Sequence, residues 1–344
     1  MRVGALLLAG GLGTRLFPLT KQLPKPMIPL LGKPLLEHII TNLVGQGVED
    51  IVIAVGYQGE VIERYFGDGS RFNCRIRYSR EDKPLGTGGA IRKGGLLFDH
   101  TFLVLNADIL QDFALNKLVA FHQETGASTT IGLMMVKDPR SFGLVELGPS
   151  GRVQRFVEKP KTLAEVTSPY VNAGIYVMEP EVLAYIPDSK QVSVERETFP
   201  ALLAAGEPVY GFPMSGVWHD LGTRERYLKV HQDLLQTTKP AVQSAPDAVV
   251  HKKAKLIPPV WIGPGCQVQN GAEVGPFAFL GAGCQVKSGA KVKESVLWDQ
   301  VIVGPGACVI QSVLGNTVSV PPAGRLIGQL VCPESLEEAI RRSL

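Results

Sequence analysis

The chain has 344 residues, of which 45% are apolar and 19% charged, enough for two domains with sizeable cores and too apolar for wholesale disorder. Its net charge of +3 is small for this length, so nothing points to nucleic acid or an anionic membrane as partner, and no apolar run approaches the ~18 residues of a membrane span. The five cysteines, Cys74, Cys266, Cys284, Cys308 and Cys332, form no CxxC pair, which fits reduced thiols in the cytoplasm.

Residues 3–9 (VGALLLA), 51–55 (IVIAV) and 102–106 (FLVLN) are short continuous apolar runs. Such runs predict strands covered on both faces, as in a parallel sheet. The first leads straight into the turn AGGLGTR, so it reads as a strand rather than a secretion signal. Glycines there let backbone N–H groups approach a phosphate closely. The turn is not a Walker loop. It is also a poor dinucleotide fingerprint, because Leu16 stands where the third glycine belongs. Arg15 and Lys25 follow, one a planar fork for phosphate oxygens and the other a compact charge. Pro24 and Pro26 stiffen the backbone around Lys25. Next, Leu36, Ile39, Ile40 and Leu43 fall at helical spacing, with Pro34 at the expected first helical position. Alternating strands and helices predict an open α/β sheet with ligands at the strand C-termini.

From 143 to 220 shorter strands dominate (LVEL, VQRFVE, NAGIYVM), which predicts a mixed or antiparallel extension of the same domain. Residues 236–249 are rich in Pro, Ser, Thr and Ala, have no period, and read as a linker. Then the period becomes six. Apolar residues recur at Val250, Leu256, Ile262, Val268, Val274, Leu280, Val286 and Val292, each followed four places on by a small or β-branched residue, from Ala254 to Val296. The pattern resumes out of phase after WDQVI. Hexapeptide repeats predict a parallel β-helix, of the left-handed type that three hexads per coil resemble. Cys266 and Cys284, one coil apart, are expected to stack as packing residues. The closing PESLEEAIRRSL reads as a short helix, acidic at its start and basic at its end, as the helix dipole favours.

The segment LLLAGGLGTRLFPLTKQLPKPMIPLLGKPLLEHII is closely similar to the N-terminal signature of the sugar-1-phosphate nucleotidyltransferases. The resemblance continues in order through PLGTGGAI, NAD, FVEKP, NAGIYV, SVERETFP and WHDLG. With the hexads it covers nearly the whole chain, and it is strongest to the GDP-mannose pyrophosphorylase branch. It implies a Rossmann-like (GT-A type) domain over 1–235, a linker over 236–249, a left-handed β-helix over 250–332 and a helix over 333–344. It also implies transfer of a nucleoside monophosphate from an NTP, GTP favoured, to a sugar 1-phosphate, mannose 1-phosphate favoured, with release of pyrophosphate.

The attacking phosphate oxygen is already ionised at neutral pH, so no general base is needed. The difficulty is bringing two anions together. By resemblance, Arg15 holds the β- and γ-phosphates, Lys25 the α-phosphate region and Lys159 the sugar phosphate. Asp108 and Asp220 would ligate Mg²⁺, which favours carboxylates plus substrate phosphates. His219 is expected to be a packing or supporting residue, since magnesium prefers oxygen. Leu8, Ala9, Gly10, Gly11, Gly13, Thr14 and Arg15 match the nucleotide-binding turn, and Gly86 and Thr87 a loop at the base and ribose. Glu81 sits where relatives place a base-reading residue. A carboxylate can accept guanine's adjacent N1–H and N2–H together, which tilts the choice towards GTP. Gly143, Glu158, Asn172 and Gly174 match positions around the sugar.

None of the six histidines (His38, His100, His122, His219, His231, His251) lies beyond the first hexad, so an acetyltransferase use of the β-helix is not expected. The β-helix reads as an assembly surface for a homo-oligomer, with Trp261, Phe277, Phe279 and Trp298 as exposed or subunit-contacting aromatics. A chain ending near Gln236 is then expected to keep its chemistry and lose assembly. The alternatives are a thymidylyl- or uridylyltransferase on glucose 1-phosphate, a heptose-1-phosphate guanylyltransferase, and a non-catalytic regulatory subunit. The last is disfavoured because Arg15, Lys25, Asp108, Lys159 and Asp220 are all present.

Overall fold

A computed structural model of the chain describes residues 3–136, 138–162, 165–188 and 190–343. They form two compact units that do not follow chain order. One comprises the segment ending at Gly11 together with Leu36–Trp218, the other Leu12–Leu35 together with His219–Leu344. The expected boundary near residue 235 differs from this division: the loop 12–35 and the segment from His219 onward both cluster with the repeats.

The first unit is built on a nine-stranded sheet. Its strands are β1 (Gly4–Leu8), β2 (Asp50–Val55), β3 (Arg75–Arg80), β4 (Phe102–Asn106), β5 (Thr129–Met135), β6 (Gly143–Leu147), β7 (Val153–Glu158), β8 (Tyr170–Met178) and β9 (Val209–Pro213). β1 lies between β2 and β4, and β2 pairs with β3, all in parallel. β8 is antiparallel to β4, β5 and β6, and β7 to β6. The parallel half and the antiparallel extension are both as the sequence predicts. β1, β2 and β4 read as uninterrupted apolar runs because they are buried along almost their whole length. Leu36, Ile39, Ile40 and Leu43 are buried on helix α1 (Leu35–Gly45), and Pro34 stands just before it rather than inside it. Helices α2 (Gly59–Phe66), α3 (Gly86–Gly95), α4 (Leu115–Thr125) and α5 (Phe199–Ala204) follow in the chain.

In the second unit, helix α6 (Arg224–Thr237) leads into a parallel β-helix of three sheets with six, five and five strands. The β-helix is left-handed, as the repeats predict. Residues 236–249 are not a linker: Val242–Ser244 already pairs with Val260–Ile262, and Val249–Val250 with Gln267–Val268. Two-residue strands this short carry too little pattern to be seen without their partners. Val268, Val274, Leu280, Val286 and Val292 fill the interior with Cys266, Ala272, Ala278, Cys284 and Ala290. The loss of phase is a change in coil length. Val268 faces Val286, 18 positions on, but Val286 faces Val303, 17 on. Leu297 therefore takes the interior place, and Val296 moves to the outer column between Phe279 and Val313.

Cys266 and Cys284 are buried free thiols that donate to the carbonyls of Gly281 and Trp298, which agrees with a packing role. Helix α7 (Leu336–Arg342) sets Ala339 into the β-helix core with Leu336 and Ile340 packed beside it, so it caps the last coil. Such a cap shields an edge that would otherwise invite pairing.

Candidate active site

The carboxyl ends of β1, β2 and β3 lie side by side in the first unit. Leu8 closes β1, and its carbonyl accepts the Ala107 N–H at 3.1 Å. The buried Ala9 donates to the Ala54 carbonyl. A side chain at Gly10 would come within 3.5 Å of Glu81 Oε1, whereas one at Gly11 would meet no protein atom. Glycine at position 11 is thus not demanded by packing, as expected where backbone must approach a ligand. Glu81 accepts the Leu85 N–H through Oε2 at 3.0 Å. Burial raises its pKa, offset in part by the Leu85 amide and by Lys93. Asp108 follows the end of β4, half-buried, two residues beyond Asn106.

Gly86 and Thr87 open α3, but their side-chain features serve the protein itself. A Cβ on Gly86, at φ +72°, would lie 2.4 Å from the Val192 carbonyl. The Thr87 hydroxyl donates to Glu195 at 2.9 Å and accepts the Val194 N–H. Val194–Thr198 is a π-helical turn within SVERETFP, and this motif holds the loop in place. If Thr87 touches a nucleotide, its backbone and methyl group are what remain for the purpose.

On the antiparallel side, β8 carries a bulge between Asn172 and Tyr176. The Asn172 side chain builds it, accepting the Gly174 N–H and donating to the Tyr176 hydroxyl, both at 2.8 Å. Gly174 sits at φ +73°, and a Cβ there would lie 2.5 Å from Asn106 Nδ2. Gly143 faces Glu158 across β6 and β7, and its missing side chain leaves room for the Glu158 carboxylate, 2.9 Å from where a Cβ would be. Lys159 follows at φ +51°, mostly exposed, with Nζ 3.4 Å from Glu158. Trp218, which the sequence reading gave no role, donates from its indole to the Ala173 carbonyl at 3.0 Å and packs on Phe142. It packs beside these positions. The WHD motif was the only signal for it.

The second unit gathers the cations. Gly13, at φ +61°, lets the turn fold so closely on the loop that a Cβ would lie 3.0 Å from both Lys25 Cβ and Thr20 Cγ2. The Thr20 hydroxyl donates to the Gly13 carbonyl. Thr14 and Arg15 are exposed on a single helical turn. Lys25 is buried, with Nζ 3.6 Å from Asp220 Oδ1. Arg226 donates to Asp220 Oδ2 in a short contact, and nothing in the sequence pattern had singled it out. Gly222 keeps this corner open, since a Cβ there would lie 3.1 Å from both Arg15 Nη1 and Asp220 Oδ2. One carboxylate thus accepts a hydrogen bond from Arg226 and pairs with Lys25 at 3.6 Å, with Arg15 across Gly222. The surplus positive charge suits a polyanion. His219 is directed to Asp233, 3.6 Å away, which fits a supporting role.

The first unit has strand-end glycines with a half-buried carboxylate, and the second a cationic cluster; each suits a phosphate-bearing ligand. The chain belongs to the nucleotidyl transferase family, whose model matches residues 4–237. The GMPPB C-terminal domain model matches residues 256–337. A mannose-1-phosphate guanylyltransferase of Mycobacterium tuberculosis is 41% identical over 242 residues, 70% of this chain and 67% of the relative. The mannose-1-phosphate guanylyltransferase catalytic subunit beta of Danio rerio is 38% identical over 248 residues, 71% and 67% of the two chains. A UTP–glucose-1-phosphate uridylyltransferase of Synechocystis sp. is 32% identical over 349 residues, 94% and 90%.

The protein is a sugar-1-phosphate nucleotidyltransferase: it transfers a nucleoside monophosphate from an NTP to a sugar 1-phosphate. The family generally uses a divalent metal. Among the described residues no three His, Cys, Asp or Glu side chains cluster as a metal cage. A hard cation such as Mg²⁺ is bound by one or two carboxylates and completed by substrate phosphates. Asp220 qualifies as such a donor, because Lys25 stands off its Oδ1 beyond hydrogen-bond length. No helix among the described residues is long and apolar enough to cross a membrane.

Proposed function

We propose that this enzyme is a mannose-1-phosphate guanylyltransferase, using GTP and Mg²⁺. The observation that carries GTP is Glu81, an acceptor-only group when ionised, half-buried with Oε1 turned towards Gly10 at the strand ends. Guanine offers it two adjacent donors. Mannose rests on the names of the relatives.

In this reading Leu8, Ala9, Gly10, Gly11, Gly13 and Thr14 line the nucleotide, with the Gly86–Thr87 backbone near the ribose. Gly143, Glu158, Asn172 and Gly174 surround the sugar, and Lys159 holds its phosphate. Asp108 and Asp220 are the carboxylates that would hold Mg²⁺, which supplies charge neutralisation at the phosphates when bound. Arg15 stabilises the leaving pyrophosphate. Lys25, paired with Asp220, offsets the charge of the α-phosphate and of the incoming sugar phosphate. No proton need be abstracted, so fixed cations do what a base does elsewhere. The chain would work in the cytoplasm as a homo-oligomer, and its free cysteines fit a reducing compartment.

The test is pyrophosphate release with Mg²⁺ from five NTPs against a panel of sugar 1-phosphates. GTP with mannose 1-phosphate should be turned over best. The end-to-end match to a uridylyltransferase makes UTP with glucose 1-phosphate the pair to beat. A clear preference for that pair would replace the guanylyl reading with a uridylyl one.

A further inference from the structure

We infer that the β-helix is the mounting that positions Lys25 for catalysis, with Gln22 and Tyr227 as positioning residues. This rests on the reading of Lys25 as a phosphate cation.

One corner of the coils carries a ladder of side-chain oxygens. Asp299 Oδ1 accepts the Ala282 N–H of the preceding coil at 2.8 Å, and Asn316 Oδ1 accepts the Asp299 N–H at 3.1 Å. The next rung would take the Asn316 N–H. It comes instead from the other end of the sequence: Gln22 Oε1 accepts that N–H at 3.1 Å, and Gln22 Nε2 reaches the Asn316 carbonyl at 3.4 Å. The fit is close. A Cβ on Gly315 would lie 2.5 Å from Gln22 Oε1. Gln22 ends the short helix Leu19–Gln22, three residues before Lys25.

A second anchor lies four residues after Lys25. The Pro29 carbonyl accepts from the Tyr227 hydroxyl and is 3.2 Å from His231 Nε2, both on α6. The Tyr227 hydroxyl in turn accepts the indole N–H of Trp298, on the coils, at 3.1 Å. Tyr227 and Trp298 are fully buried. The segment between the anchors holds Pro24 and Pro26, so fixing both ends leaves Lys25 little freedom. A buried cation held opposite Asp220 must be placed well to act only on the reacting phosphates. A displacement of about 1 Å can cost about 10²-fold in rate.

The experiment uses the full-length chain and measures kcat and KM for both substrates, with thermal melting alongside. Lys25→Ala is the control for the underlying reading: if it turns over normally, the role of Lys25 fails, whatever Gln22 does. With Lys25→Ala impaired, Gln22→Ala and Tyr227→Phe should each lower kcat at least about tenfold while both KM values stay within about threefold, since the interaction is made in the transition state. In the Lys25→Ala background, Gln22→Ala should lower kcat no further, because paired effects through one group do not add. Near-normal kcat in the folded Gln22→Ala and Tyr227→Phe enzymes overturns the proposal. So does a Gln22→Ala loss that is undiminished in the Lys25→Ala background. Should Gln22→Ala fail to fold, Tyr227→Phe carries the same comparison.

Discussion

Asp220 gathers two cations around one carboxylate. It meets Lys25 on one oxygen and Arg226 on the other. As a metal ligand it would hold Mg²⁺ beside Lys25 and Arg226. Asp220→Asn and Asp108→Asn should each cut turnover by orders of magnitude with the fold intact. Steady-state turnover with a Mg²⁺ titration checks this, and near-normal rates in either purified variant would remove that residue from the metal assignment. Glu81 allows a pH prediction. Burial raises its pKa, so it takes up a proton at higher pH than an ordinary glutamate. The protonated acid presents a donor to guanine's donors. KM for GTP should therefore rise as pH falls, beginning above the usual carboxylate range, and Glu81→Gln should flatten that rise and weaken GTP relative to UTP. KM measured from about pH 4 to 8 decides it, spanning the ordinary glutamate pKa of about 4.3 and the shifted range above it. Arg15, Lys25 and Asp220 could be singled out from motif order, because each sits in a dense signature, and the fold brings them to one corner. Arg226 could not, since a lone arginine near a helix start looks like any solvated charge until Asp220 is seen beside it.

At the scale of elements, the bulge in β8 shows how backbone shape is set by a few groups. Asn172 closes it with two hydrogen bonds, and Gly174 alone fits its positive φ against Asn106. Gly174→Ala should lower stability by about 1–3 kcal/mol through backbone strain, with more from the clash, and should raise KM for the sugar phosphate. Denaturant unfolding and kinetics read the two effects separately. The sheet and the hexads could be read from the sequence because periodic burial leaves a periodic signal. Coil shortening could not, since one missing residue between Val292 and Leu297 only shifts phase. The aromatics misled for a related reason. Trp298 and Phe279 lie on the coils and looked free for a partner subunit, yet both are fully buried. Phe279 packs on His231 of α6, 5.2 Å between rings, and Trp298 on Tyr227. Trp261 and Phe277 remain half-buried.

For the whole molecule, the division into units changes the expected outcome of truncation. The loop 12–35 clusters with the coils, through contacts such as Gln22–Asn316 that span 294 positions. Contacts so distant leave no local pattern, which is why the sequence suggested a self-sufficient domain ending near residue 235. A chain cut near Gln236 should now lose most turnover, and a stable, active fragment by the same pyrophosphate assay would show that the loop does not need its mounting. The β-helix flank facing α6 is occupied, and α7 covers the last coil, so a homo-oligomer must use other faces. Light scattering of the full-length chain at micromolar concentration should give a multiple of 37.1 kDa, and a monomer would end the oligomer proposal. The most direct test of the function is ³¹P NMR of the full-length enzyme with Mg²⁺, GTP and mannose 1-phosphate. GDP-mannose and free pyrophosphate should appear together in equal amounts as both substrates decline. GDP with inorganic phosphate, or an unchanged spectrum while another NTP and sugar 1-phosphate react, would contradict it.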